Sequence, residues 1–238
     1  MPSTYFVADV HLNMNNTNQK ILFSAFLDHV SSGSLYIIGD LFDFWANNKT
    51  VYAAHSWVFD KLRAVISRGC TVGLLIGNRD FLLRKKMVES YGIRYLGEEA
   101  TVDIDGRCFF LAHGHTLCLS DTQFLRYRAR MWPLFTLIDW VLPGFIENYL
   151  AGKFIMQSKK VIQAQEPVRF QFTQTAIENK FREEIDYVIC GHTHQPETFQ
   201  SGAHIFHALP AWDDKSGYFL HYEHNVLTLK HFKPAFNQ

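Results

Sequence analysis

Five short polar clusters interrupt the apolar runs of this chain, and their side chains are of the kinds that hold divalent metals. Asp9-Val10-His11, Gly39-Asp40, Gly77-Asn78-Arg79-Asp80, His113-Gly114-His115 and Gly191-His192-Thr193-His194 follow one another in that order. Carboxylates, an amide oxygen and imidazoles together suit ions of borderline hardness such as Mn²⁺, Fe²⁺, Zn²⁺ or Co²⁺. No cysteine stands in any of them, which argues against a closed structural zinc site. In Asp-x-His and His-x-His, alternate residues share a side if the backbone is extended, so each pair would grip one ion. The glycines before Asp40, Asn78 and His192, and after His113, permit the chain to turn sharply there. A carboxylate placed centrally, Asp40, would bridge two ions at the ~3.5–4 Å spacing of two-metal sites. One such cluster alone is commonly structural. The ordered set is the signal.

Each cluster begins where an apolar run stops. Thr4–Ala8 reads as a buried strand, and Thr17 as the cap of a helix with Ile21, Leu22, Ala25, Phe26, His29 and Val30 at helical spacing. Leu35–Ile38 reads as a second strand, Val51–Arg68 as a second helix closed by Gly69, and Val72–Ile76 as a third strand. Asp105-Gly106 marks a hairpin leading into Cys108–Ala112. The strand pattern resumes at Tyr187–Cys190 and runs through Ile205–Ala208, Tyr218–Tyr222 and Val226–Phe232, as a sheet edge or a second sheet. This alternation predicts a layered α/β core, in which strand C-termini converge on one crevice. Residues 121–180 carry no convincing strand and are punctuated by Pro133, Pro143 and Pro167. They read as a helical cap inserted into a core formed by residues 1–120 and 181–238.

With 238 residues, 47% of them hydrophobic and 19% charged, the chain has room for one α/β domain with an insertion. A formal net charge of zero gives no long-range attraction for nucleic acid, and no such partner is expected. The four cysteines lack CxxC spacing and read as reduced, buried residues. The N-terminus enters a strand pattern at once, and no apolar run reaches the ~18 residues of a spanning helix. A cytoplasmic location is the expectation.

The ordered clusters resemble those of the calcineurin-like metallophosphoesterase superfamily. The resemblance implies an α/β fold, a four-layer αββα sandwich with a helical cap inserted. It also implies two ligand sets, Asp9, His11, Asp40 and His194 for one ion, and Asp40, Asn78, His113 and His192 for the other. The longer strings FVADVHL, LYIIGDLFDFW, IGNRDFLL and AHGHTLCLSDTQFLRYRAR, with GHTHQP and LPAW, are similar to the UDP-2,3-diacylglucosamine pyrophosphohydrolases of lipid A synthesis. That similarity implies cleavage of the substrate's pyrophosphate to UMP and 2,3-diacylglucosamine 1-phosphate, with a hydroxide bridging two divalent ions as nucleophile and manganese as the expected metal. It implies catalytic roles for Asn78, Arg79 and Asp80, and substrate contacts from Arg79, Asp121, Ser158 and Lys159. The insertion would then be a lid over the acyl chains. Phe135, Leu137, Ile138, Trp140, Val141, Leu142 and Phe145 supply its apolar surface, and Arg126, Arg128 and Arg130 its attraction for anionic groups. Peripheral contact with the cytoplasmic face of the inner membrane is the matching expectation.

Arg79 stands where many superfamily members place a histidine proton donor. A guanidinium does not release a proton, but it holds a phosphate bidentately. The alternative use is an ion pair with Asp80. Asp80 itself is expected to orient neighbouring residues or a histidine ligand. The family pattern commonly has aspartate at the position of His115. The remaining histidines read as structural, with His207 the one whose strand passes nearest the site. The competing functional reading is a phosphoesterase of the same fold acting on nucleotides or other phosphate esters.

Overall fold

Successive residues of the first strand, β1 (Thr4–Val7), point to opposite faces, and both faces are buried. The computed structural model describes residues 3–118 and 172–234. In it Tyr5 and Val7 belong to a core packed under helices, while Phe6 and the following Ala8 belong to a core between two sheets. A strand covered on both sides reads in sequence as an unbroken apolar run.

The first sheet has the order β11-β10-β1-β2-β3-β4, with β2 (Ser34–Ile38), β3 (Thr71–Leu75), β4 (Arg94–Gly97), β10 (Gly217–Glu223) and β11 (Val226–Phe232). Strands β1 to β4 are parallel, and β10 and β11 are antiparallel to their neighbours. The second sheet has the order β5-β6-β7-β9-β8, with β5 (Glu99–Ile104), β6 (Arg107–Ala112), β7 (Tyr187–Cys190), β8 (Glu197–Ser201) and β9 (His204–Ala208). The five strands at the end of the chain therefore do not form one edge or one sheet: β7, β8 and β9 enter the second, β10 and β11 the first. Apolar alternation says that a strand is buried, not which partner it pairs with.

Helices α1 (Thr17–His29) and α2 (Lys49–Ser67) cover the outer face of the first sheet. Helix α3 (Lys85–Glu89) is a single turn before β4, and α4 (Gln174–Phe181) covers the outer face of the second sheet through Ala176, Ile177 and Phe181. The result is the four-layer αββα sandwich. Of the span read as a cap, only Phe172 onward is described, and Phe172 packs on Phe206 of β9. No helix among the described residues is long and apolar enough to cross a membrane. No disulfide joins the four cysteines among the described residues, and Cys70, Cys118 and Cys190 are buried.

Two local readings are corrected. The cap of α1 is Asn16, whose side chain accepts the Gln19 N–H at 3.2 Å, rather than Thr17. Its buried stripe is Leu22, Phe23, Phe26 and Leu27, so Ile21 is left 48% exposed. Moving the stripe by one residue follows from the sheet it must meet, because the helical period alone does not set its phase. Helix α2 is likewise capped by an asparagine, Asn48, which accepts the Val51 N–H at 3.0 Å.

His55 in α2 is buried beside the rings of Phe42 and Trp45, at centroid distances of 4.7 and 6.2 Å. Burial lowers its pKa from 6.5 to about 4. The unfolded chain therefore takes up this proton first as pH falls. The stabilising contribution of the neutral ring is complete above 6.5 and is lost between 6.5 and about 4, a change of about 3 kcal/mol. His55→Phe is expected to lose less stability than the parent chain between pH 7 and pH 4.5, as read from denaturant midpoints at the two pH values.

Candidate metal centre

The five clusters meet at one end of the two sheets. Asp9 and His11 follow β1, Asp40 follows β2, Asn78, Arg79 and Asp80 follow β3, His113 follows β6, and His192 and His194 follow β7. The backbone that carries them is not extended, contrary to the expectation for alternate residues. Asp9 (φ 52°), His11 (φ 51°), Asp40 (φ 50°), His192 (φ 75°) and His194 (φ 60°) all lie in the left-handed region. Non-glycine residues there cost on the order of 1 kcal/mol each and persist only where the surroundings enforce them. Here the His11 N–H donates to the Asp40 carbonyl at 3.0 Å, the Trp212 N–H to the Asp9 carbonyl at 3.0 Å, and the His192 N–H to Asp9 Oδ2 at 2.7 Å.

Two groups of ligand atoms result. In the first, His11 Nε2 and His194 Nε2 are 3.0 Å apart, and Asp9 Oδ1 lies 3.5 and 3.3 Å from them. In the second, Asn78 Oδ1 lies 2.9 Å from His113 Nε2 and 3.1 Å from His192 Nδ1. Asp40 stands between the groups, its Oδ2 3.5 Å from His113 Nε2 and 4.0 Å from His11 Nδ1. Two atoms each ~2.1 Å from one ion and at right angles are about 3.0 Å apart, so these spacings are those of a coordination shell. Asp9 Oδ1 and His11 Nδ1 are buried with no hydrogen-bond partner among the described residues, a condition that a cation would relieve. The His113 Nδ1–H donates to the Ile38 carbonyl at 3.1 Å, which directs Nε2 toward Asn78 and Asp40, where it would ligate an ion on giving up its proton. The donor set fits two divalent ions.

The electrostatics agree. Burial opposes ionisation of Asp9 and Asp40, yet the charge of His113, joined by hydrogen bonds from His11 and His194 to Asp9 and from His113 to Asp40, holds both carboxyls below their ordinary range. Burial likewise opposes charge on His113, but Asp40 and Asp9 raise its pKa to about 9. Burial, followed by the charge of His113, lowers His192 to about 3. Two buried carboxylates thus gather positive charge, one proton's worth from the protein alone.

Space at the centre is set by glycine. A Cβ on Gly77 would lie 2.1 Å from Asp40 Oδ1, and one on Gly191 would lie 2.1 Å from Asp9 Oδ2. Gly39 and Gly114 do turn through positive φ, as expected of them, whereas Gly77 and Gly191 are needed for close approach. The loops after β2 and β3 also grip each other. Asp40 Oδ1 accepts the Arg79 N–H at 2.9 Å, and buried Asp80 accepts the Leu41 N–H at 2.8 Å and the Gly77 N–H at 2.7 Å. Asp80 therefore orients the two loops rather than a histidine. Burial and the Asp40 charge push its carboxyl up to about 7, against the two N–H donors. The Arg79 guanidinium does not pair with Asp80. It bonds Asp43 Oδ1 at 2.5 Å and approaches Asp40 Oδ2 at 3.4 Å, so its positive charge lies over the edge of the centre.

Residues 2–196 match the model of the calcineurin-like phosphoesterases. The chain belongs to this family. It is accordingly a hydrolase, and membership implies divalent metals at the centre just described. Similar proteins include the UDP-2,3-diacylglucosamine hydrolase of Photorhabdus laumondii, 33% identical over 197 residues that cover 81% of this chain and 82% of that protein. The protein of the same name from Actinobacillus succinogenes is 31% identical over 213 residues, covering 86% and 89%. Among solved structures, a novel archaeal phosphodiesterase superposes with a TM-score of 0.51 at 12% identity, over 98% of this chain and 99% of that one. That likeness is one of fold.

Within this calcineurin-like phosphoesterase, the structure brings together Asp9, His11, Asp40, Asn78, Arg79, Asp80, His113, His192 and His194. Asp121, Ser158 and Lys159, with Arg126, Arg128, Arg130 and the apolar run of the expected lid, lie outside the described residues. His115 is buried beside the centre, with its ring 5.7 Å from that of His113 and 6.0 Å from that of His192. His207 is engaged by Thr198 Oγ1 at 2.9 Å across the β8–β9 pair. Sequence reading passed over two contributors. Asp43, three residues after Asp40, is the partner of Arg79. Trp212 braces the Asp9 carbonyl through its backbone, while its indole N–H donates to the Tyr218 carbonyl at 2.8 Å and its ring packs on Phe23 and Phe26. Nothing local to LPAW shows that it folds back onto residue 9.

Proposed function

We propose that this hydrolase cleaves the pyrophosphate of UDP-2,3-diacylglucosamine, releasing UMP and 2,3-diacylglucosamine 1-phosphate. The observation that carries the reading is Arg79 seated at the edge of the metal centre, its guanidinium 3.4 Å from Asp40 Oδ2, in a chain about a third identical to hydrolases of that name. Asp9, His11, Asp40 and His194 would hold one ion, and Asp40, Asn78, His113 and His192 the other, with Asp40 common to both. When bound, two divalent ions, manganese in our reading, supply Lewis acidity and lower the pKa of a coordinated water toward neutrality.

The protein's own groups do the rest. Asn78 and Arg79 offer donors to the non-bridging phosphoryl oxygens, where charge grows in the transition state. The leaving group is a phosphate, which departs without a proton, so an arginine serves where a histidine acid is dispensable. Asp80 keeps the Asp40 and Asn78 loops in register. The cytoplasmic face of the inner membrane is the location that goes with an acylated, amphipathic substrate, and the inserted segment from residue 121, ahead of the core helix α4, is the proposed lid.

Treatment with a chelator is expected to abolish hydrolysis of UDP-2,3-diacylglucosamine, and Mn²⁺ to restore it. Release of UMP at the native rate from metal-stripped protein would defeat the reading, as would turnover of simple aryl phosphates or nucleotides in preference to the UDP-linked lipid. Arg79→Ala is expected to lower kcat by about 10²-fold with metal content unchanged, and Arg79→Lys not to recover it, because a lysine lacks the bidentate fork. A parallel loss of metal would instead make Arg79 structural.

A further inference from the structure

An amide-rich loop, Asn13-Met14-Asn15-Asn16-Thr17-Asn18-Gln19, runs from the metal centre into α1. Beside it lies an open cavity of about 580 Å³, within the size range of small-molecule sites. Asn13, Asn15, Asn16 and Gln19 line it together with Asp43, Arg79 and His11 of the metal centre. The cavity is therefore continuous with the groups that would hold the scissile phosphate. Among the described residues, none that lines it is aliphatic or carries an aromatic hydrocarbon ring.

The loop is internally braced. The Asn13 N–H donates to Gln19 Oε1 at 3.1 Å, the Asn15 N–H to Asn13 Oδ1 at 3.0 Å, and the Gln19 N–H to Asn16 Oδ1 at 3.2 Å. Asn13 Nδ2 donates to Asp43 Oδ2 at 3.1 Å, the carboxylate whose other oxygen takes Arg79. These bonds use the carbonyl oxygens of Asn16 and Gln19 and leave their amide N–H groups to a ligand. They also tie the loop through Asp43 to Arg79, so that the wall and the phosphate-holding group are set as one unit.

We infer that this cavity is the subsite for the nucleoside half of the substrate, with Asn15, Asn16 and Gln19 as its specificity-determining residues. The inference rests on the proposed UDP-linked substrate, whose two halves leave the pyrophosphate in different directions. Acyl chains require apolar walls, and the described lining offers amides, a carboxylate, a guanidinium and an imidazole instead. A second cluster of phosphates would require further cations, and the one guanidinium among the described lining residues is already shared between Asp43 and Asp40. A ribose and a uracil edge present neutral hydroxyls, carbonyls and an imide N–H, which primary amides match because each carries both donors and an acceptor.

The test measures binding of UMP and of inorganic phosphate to the Mn²⁺-loaded protein by calorimetry, with Asn15→Ala, Gln19→Glu and, as a neighbour that does not line the cavity, Asn18→Ala. Gln19→Glu keeps the oxygen that braces Asn13 while removing the amide donors. UMP should bind the parent chain more tightly than phosphate does. Asn15→Ala and Gln19→Glu should each weaken UMP about fivefold to tenfold, the worth of a hydrogen bond, and leave phosphate binding as it was; Asn18→Ala should match the parent. UMP binding no better than phosphate, or equal weakening of both ligands, overturns the subsite. Failure to hydrolyse UDP-2,3-diacylglucosamine, with the UMP results as expected, overturns the proposed reaction and leaves the nucleoside subsite standing.

Discussion

Replacement of Asp40 by alanine is expected to reduce hydrolysis by at least about 10³-fold, the largest effect of any single substitution in this chain. Its carboxylate is buried between the two ligand groups, with Oδ2 toward His113 and His11 and Oδ1 accepting the Arg79 N–H. Removing it deletes the charge common to both proposed ions and unties the loop that carries Asn78 and Arg79. Asp40→Asn separates the two losses, since the amide oxygen still accepts from Arg79 while the negative charge is gone. We expect Asp40→Asn to fold with near-native thermal stability, yet to lose metal and turnover almost as fully as Asp40→Ala. Metal content by elemental analysis, a melting temperature and single-turnover rates distinguish these outcomes. Near-native turnover in either variant would refute the two-metal arrangement.

The second large effect is expected from a single methyl group. Gly77→Ala would place a Cβ 2.1 Å from Asp40 Oδ1, and Gly191→Ala one 2.1 Å from Asp9 Oδ2 and 2.6 Å from Ala8 Cβ. Contacts of that kind relax to well over 3 Å only if a carboxylate or the loop moves by about 1 Å, and a displacement of that size at a reacting centre costs about 10²-fold in rate. Overpacking adds about 1–3 kcal/mol of destabilisation. Gly191→Ala should be the worse folded of the two, because its second neighbour, Ala8, sits in the core between the sheets and cannot yield. Gly77→Ala should remain folded and bind metal weakly. Native metal affinity in Gly77→Ala would show that the Asp40 side chain has more room than its surroundings indicate.

Much of this centre was legible in the sequence because its chemistry is carried by residue type and order. Aspartates, an asparagine and histidines at the ends of apolar runs are rare enough in combination to mark a metal site, and strand ends in an α/β sheet have one place to converge. The apolar runs located β1, β2, β3, β6 and β7 to within a residue, since strands buried on both faces leave an unbroken signal. The same signal carries no pairing information. It left β10 and β11 unassigned between sheets, and it misplaced the stripe of α1 by one residue.

The backbone at the ligands was misread for a related reason. Extended geometry is the cheap assumption for Asp-x-His and His-x-His, and only contacts from distant segments hold Asp9, His11, Asp40, His192 and His194 at positive φ. One of those contacts comes from Trp212, some two hundred residues away from Asp9 along the chain. Arg79 could be seen to be unusual, but its partner could not. Asp80 adjoins it in sequence, yet the carboxylate of Asp80 is consumed by the Leu41 and Gly77 N–H groups, and the guanidinium turns to Asp43.

By itself, then, the sequence determined the family, the set of side chains available to the metals and the elements that carry them, because these depend on composition and short-range periodicity. Tertiary structure alone decided the left-handed backbone that carries the ligands, which glycines make room for the carboxylates, and where the charge of Arg79 is directed. Those outcomes depend on atoms far apart in the chain meeting within about 3 Å, a distance at which burial and hydrogen bonding, not local propensity, choose the winner.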